Sequence, residues 1–211
     1  MSFSRTCKGC RFIFASTLFL IAFFVLDYLN NGMRPPLAEL LQNPDLVPLL
    51  YYFEGAFLLA SDALLIAGVC IAGREGDDFK AAKWLAFLRL FFSVAYCVFD
   101  CFLLREYNYI PDMLNICASL CAVFIWYHVL GGVIFMSCSL ADRVTLSMAG
   151  VVRVLIVGTY ALLAVTRVVS LLVTDAAAGD VLMIVNLAAE LVSAGLLLAV
   201  LYRASRMKAV S

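Results

Sequence analysis

One histidine, His128, stands in a chain of 211 residues. That excludes a bis-histidine haem and any histidine-cluster metal centre built from this chain alone. Charge is scarce as well: Asp, Glu, Lys and Arg together make 14% of the residues, about half their share in an ordinary soluble domain. The two signs balance at fifteen each, so no basic excess points to nucleic acid and no acidic excess to a polycationic partner. Catalytic signatures are also missing. There is no G-x-S-x-G, H-E-x-x-H, Walker loop or dinucleotide fingerprint. Neither a Ser–His pair nor paired Asp residues line up for proteolysis within a membrane. The chain reads as a non-enzyme without cofactor or metal site.

What is abundant is apolar side chain, 65% of the residues, with a mean hydropathy of +1.02. A water-soluble fold needs polar residues for its surface and cannot hide so much hydrocarbon, so the bilayer must act as the solvent. A spanning helix takes about 20 mostly apolar residues. Apolar runs cover residues 12–29, 50–73, 83–104, 112–136, 151–173 and 181–202. They are too long and continuous for barrel strands of about 10 alternating residues. An all-α integral membrane protein is expected: one polytopic domain over residues 1–211, with six transmembrane helices and no separate soluble domain. The first run follows Arg5, Lys8 and Arg11 as a signal peptide would, but residues 27–31, DYLNN, offer no small-x-small cleavage site. It reads as an uncleaved crossing.

Orientation follows from the cations. Arg5, Lys8, Arg11, Arg74, Lys80, Lys83, Arg143, Arg153, Arg203, Arg206 and Lys208 fall on one side, and Arg34 and Arg105 on the other. Basic loops stay cytoplasmic, so both termini are expected inside, in the cell (cytoplasmic) membrane. Tyr51, Tyr52, Tyr107 and Tyr109 then form an outer aromatic belt, with Trp84 and Tyr202 at the inner boundary. In the first external loop, residues 35–41 read PPLAELL. Proline favours a first helical turn, and a short interfacial helix is expected there.

Polar residues inside a crossing cost a few kcal/mol unless paired or wet, and here they form stripes. Arg89, Ser93, Tyr96 and Asp100 share a face of the third helix; Arg153, Tyr160, Arg167 and Thr174 share one on the fifth. Asn186, Glu190 and Ser193 mark the sixth, Glu54, Ser61 and Asp62 the second, and Asn115, Ser119 and Trp126 the fourth. Arg167 lies roughly 9 Å below the outer end of its run and Glu190 roughly 13 Å below the outer end of the next, so an ion pair between them is within reach. Arg89 can reach Asp62 or snorkel to water. Two readings compete. In one, these groups line a polar cavity in the outer half of the bundle, formed by the second, third, fifth and sixth helices, that binds a small polar or anionic solute. There Arg167 attracts the anion, Glu190 and Asp100 balance it, and Asn186 orients it; Asp62, Arg89, Glu54 and Tyr96 complete the candidate set. In the other, the charges pair internally and the chain is a scaffold or accessory subunit. A proton path through Asp62, Glu190 and Arg167 and a membrane enzyme of unfamiliar chemistry are further alternatives.

Cys7 and Cys10 form a C-x-x-C read as a tail ahead of the first helix. A zinc site would need two more ligands, and none is near in sequence. Cys97 with Cys101, and Cys117 with Cys121, are each one turn apart and read as small apolar residues. Small residues also recur at four-residue spacing, Gly68 with Ala72 among them, and allow close helix approach. In layout alone the chain is similar to the solute-binding membrane subunits of energy-coupling-factor importers, and to other small six-helix membrane proteins such as acid-stress proteins and export permeases. That likeness implies a partner membrane or energising subunit besides the lipid bilayer, and it carries no residues.

Overall fold

In a computed structural model, residues 3–32, 46–102, 109–170 and 176–207 are described. They form six helices and no strand: α1 (Ser4–Asp27), α2 (Leu46–Ala72), α3 (Asp77–Phe102), α4 (Tyr109–Ser139), α5 (Arg143–Ser170) and α6 (Ala176–Ser205). Each is long and apolar enough to cross a membrane. Residues 35–41, Arg34, Arg105, Tyr107 and Thr174 lie outside the described residues, as do the side chains of Asp100, Cys101 and Tyr109.

Every helix packs on its neighbours in the chain, and α6 returns to α1, so the six close into a ring with both termini at one end. Contacts from Arg11 Nη2 to the Ser205 carbonyl and from Cys7 Sγ to the Met207 carbonyl, both 3.5 Å, join those ends. The fourth helix is the most enclosed: 61% of its apolar window is buried, against 22–39% in the others. Trp126, Ile125, Leu130 and Met136 from α4 fill the core at that end, with Ile13, Leu65, Phe79, Ile156 and Leu197 from the other five helices.

The α1–α2 seam is built from small residues. A Cβ on Gly9 would stand 2.5 Å from the Gly68 carbonyl oxygen, and one on Gly68 would stand 2.8 Å from that of Gly9. Two helical turns further, Ser61 Oγ donates to the Ser16 carbonyl at 3.0 Å. The expected packing role of Gly68 and Ala72 is thus exerted against α1.

The helices outrun the apolar windows, because hydropathy marks the hydrocarbon layer and capping marks the helix end. α1 begins at Ser4 because Glu75, in the turn after α2, accepts from Thr6 N at 2.8 Å and Thr6 Oγ1 at 2.9 Å, satisfying a helix start that has no side-chain cap of its own. This corrects the reading of the C-x-x-C as a tail. Cys7 and Cys10 lie inside α1, both buried, Cys10 completely.

Candidate functional site

Helical spacing brings the polar stripes together. On α3, Arg89, Ser93 and Tyr96 face inward; α4 adds Asn115 and Ser119, α5 adds Tyr160 and Arg167, and α6 adds Glu190. These side chains line one partly open cavity of ≈ 30 Å³, bounded on the other side by Leu20, Phe23 and Phe24 of α1 and Leu58 of α2. At about 10–15 Å³ per water, that holds about two water molecules. The fourth helix was absent from the expected set of walls, and the first contributes aromatics that no polar stripe announces.

Arg167 anchors the site. Its Nη2 donates to Glu190 Oε1 at 2.5 Å, and its Nη1 donates to Asn115 Oδ1 at 2.7 Å and to Ser119 Oγ. Three helices are tied through one guanidinium. Glu190 is 6% exposed, and Asp27 on α1 acts on it electrostatically with the same sign of charge.

A second pair lies deeper. Arg89 Nε is 3.1 Å from Asp62 Oδ1, both side chains being almost fully buried. The N–H is not aligned for a hydrogen bond, so the contact is one of charge and both Asp62 oxygens are left without a donor among the described residues. A third carboxylate, Glu54, accepts from Asn30 Nδ2 at 2.9 Å and from Tyr96 Oη at 3.3 Å. Asn30 sits in the π-helical turn Tyr28–Gly32 that continues α1; in sequence it looks like nothing but a turn residue.

Two hydroxyls in the cavity wall, Ser93 Oγ and Tyr160 Oη, are buried with no hydrogen-bond partner among the described residues. Trp126 Nε1 interacts with the Tyr160 hydroxyl, but it too makes no well-formed hydrogen bond among the described residues. Serine and tyrosine hydroxyls can donate as well as accept, and both guanidiniums are donors only. Glu190 is the sole carboxylate among the described lining residues. The cavity is rich in donors.

Of the expected set, Arg89, Tyr96, Arg167 and Glu190 line this space, while Asp62 and Glu54 stand one contact behind it. Asn186 does not line it. Although it shares a face of α6 with Glu190, one turn away, its Oδ1 accepts from Thr166 Oγ1 of α5 at 2.8 Å. The side chain of Asp100 is outside the described residues. Ser93, Asn115, Ser119 and Tyr160 were visible as stripe members, yet only the tertiary arrangement separates them from the rest. His128 is elsewhere, towards the end carrying the termini, with Nδ1 3.0 Å from Asp78 Oδ1. Among the described residues no group of three or more His, Cys, Asp or Glu side chains could hold a metal ion.

No protein-family model matches this chain, and neither a curated protein nor a solved structure matches it.

Proposed function

We propose that this chain binds a small polar or anionic solute inside its helix bundle, as a transport-type protein of the cell membrane. The observation that carries the reading is that two buried hydroxyls on one cavity, Ser93 and Tyr160, make no well-formed hydrogen bond among the described residues. A buried polar group left without a partner costs about 1–3 kcal/mol, and a bundle built for stability alone has no use for two of them on one space. In this conformation the cavity admits a group no larger than about two waters, which suits a small inorganic anion or the head of a carboxylate. A larger solute has to displace Arg167 or Glu190.

The test removes only the hydroxyls. Ser93→Ala and Tyr160→Phe should leave the unfolding temperature of the empty protein unchanged or slightly raised. Both should abolish the stabilisation that chloride, nitrate, formate or acetate gives the wild type in detergent. If neither these anions nor small neutral polar solutes stabilise the wild type, the reading fails.

The cation distribution supports cytoplasmic termini, and residues 35–41 support a short helix on the outer surface. Reporters fused to either end should be active only in the cytoplasm. We read the site as binding and not catalytic, with energy from a partner subunit or an ion gradient. A specific observation favours a second reading, that of a scaffold or accessory subunit: both cavity arginines are paired with carboxylates. In that case Arg167→Ala and Glu190→Ala each impair folding, the double variant recovers it, and no solute binds at all.

A further inference from the structure

We propose, resting on the solute-binding reading above, that the ligand is a small anion loaded together with a proton, and that Glu190 receives the proton. Both terminal nitrogens of Arg167 are engaged, Nη1 by Asn115 and Ser119 and Nη2 by Glu190. An arriving anion therefore has two places to go. It takes the position of the Glu190 carboxylate on Nη2, leaving behind a carboxylate that is 6% exposed and has lost its cation. Otherwise it settles beside Ser93 and Tyr160 in a space of ≈ 30 Å³ whose wall includes Glu190. In both cases two negative charges share one narrow space beside a buried carboxylate, and like charges so placed do not both stay ionised.

Among the described residues no neighbouring element relieves that repulsion. From α1, Asp27 adds negative charge; from α5, Tyr160 is a neutral phenol and Arg167 is the cation already being contested. From α3, Arg89 faces Asp62 at 3.1 Å, and Tyr96 is neutral and donates to Glu54. Neutralisation then has to come from water. A proton from bulk solvent goes onto a Glu190 carboxylate oxygen, no bond in the anion breaks, and the loaded site has the same net charge as the empty one. A site loaded in this way can exchange its anion across the hydrocarbon without moving net charge.

Acetate is the probe, titrated calorimetrically into the full chain in detergent micelles, in two buffers that differ in ionisation enthalpy. The wild type should take up a proton with each acetate. Its affinity should fall about tenfold for each pH unit of rise, wherever Glu190 is ionised when empty and protonated when loaded. Glu190→Gln, neutral from the start, should bind acetate with an affinity flat in pH and with no proton uptake. If that variant does not fold, the two-buffer comparison on the wild type decides alone. Acetate binding by the wild type without proton uptake overturns the coupling and leaves the solute-binding reading standing. Binding of glycerol but not of acetate overturns the anion and likewise spares that reading. A wild type that binds neither of these, nor chloride, nitrate or formate, overturns both.

Discussion

A carboxylate in the middle of a helix bundle needs hydrogen-bond donors, as Glu54 has, or a cation, because the desolvation of a lone charge is not repaid. Asp62 and Arg89 meet that condition, each about 5% exposed or less. Asp62→Asn or Arg89→Met alone should cost about 3–5 kcal/mol, since each strands one buried charge, whereas Asp62→Leu with Arg89→Met together should recover most of the loss. Unfolding in mixed micelles measures it, and additive losses in the double variant would refute the pairing. Lys80 and Asp77 make a shorter contact, 2.6 Å, but are 62% and 93% exposed; Lys80→Ala should change stability by no more than about 0.5 kcal/mol. The contact between Arg167 and Glu190 was legible from depth along two antiparallel helices, a matter of counting residues. That Asn186 bonds to Thr166 was not legible, because it depends on how far each helix is rotated about its own axis.

Helices end where caps allow. At the end of α4, Ala141 adopts φ 56°, while Ala141 N donates to the Cys138 carbonyl at 3.2 Å and Asp142 N to that of Ser137 at 3.0 Å. This is a Schellman closure with alanine where glycine is preferred. Removing the Cβ by Ala141→Gly should stabilise by about 1 kcal/mol, visible as a raised unfolding temperature. The next residue starts α5: Asp142 accepts from Thr145 N at 3.0 Å and from Thr145 Oγ1 at 2.7 Å. The backbone hydrogen bond, then that from the hydroxyl, holds its carboxyl below the ordinary value of 3.8. Because the folded value is depressed, the contribution is complete above that ordinary value and disappears as pH falls through the folded one. Asp142→Ala should cost about 1 kcal/mol at neutral pH. Asp142→Asn should keep the cap and lose its acid sensitivity, as unfolding curves against pH would reveal. The turn between α4 and α5 was readable as a break, but its cap was not singled out. The start of α1 was unreadable, since Glu75 reaches it from 69 residues away in the chain.

For the molecule as a whole, close approach of helices is set by which glycines are covered. Gly9 and Gly68 face each other across the α1–α2 seam, and a Cβ on Gly132 would lie 2.3 Å from the Phe79 ring. Gly158 and Gly195 have no atom within 4 Å of the corresponding position. Helix propensity favours alanine at all of these by about 0.5–1 kcal/mol. Gly158→Ala and Gly195→Ala should therefore stabilise, whereas Gly9→Ala and Gly68→Ala should destabilise, because backbone on the opposing helix blocks the new methyl. Equal effects at covered and open glycines would mean that the seam does not exist as described.

Hydropathy and helical periodicity, both properties of short windows, were enough for six apolar helices and for inward-facing polar stripes, since hydrocarbon penalises charge wherever a helix exposes it. Which stripe members meet depends on helix rotation, on the ring order that sets α4 among the cavity walls, and on distant caps such as Glu75. Those are contacts between residues far apart in the chain, and only packing in three dimensions selects them. It is for this reason that Ser93 and Tyr160, two stripe members among many in the sequence, acquire their place on the cavity only in the folded bundle.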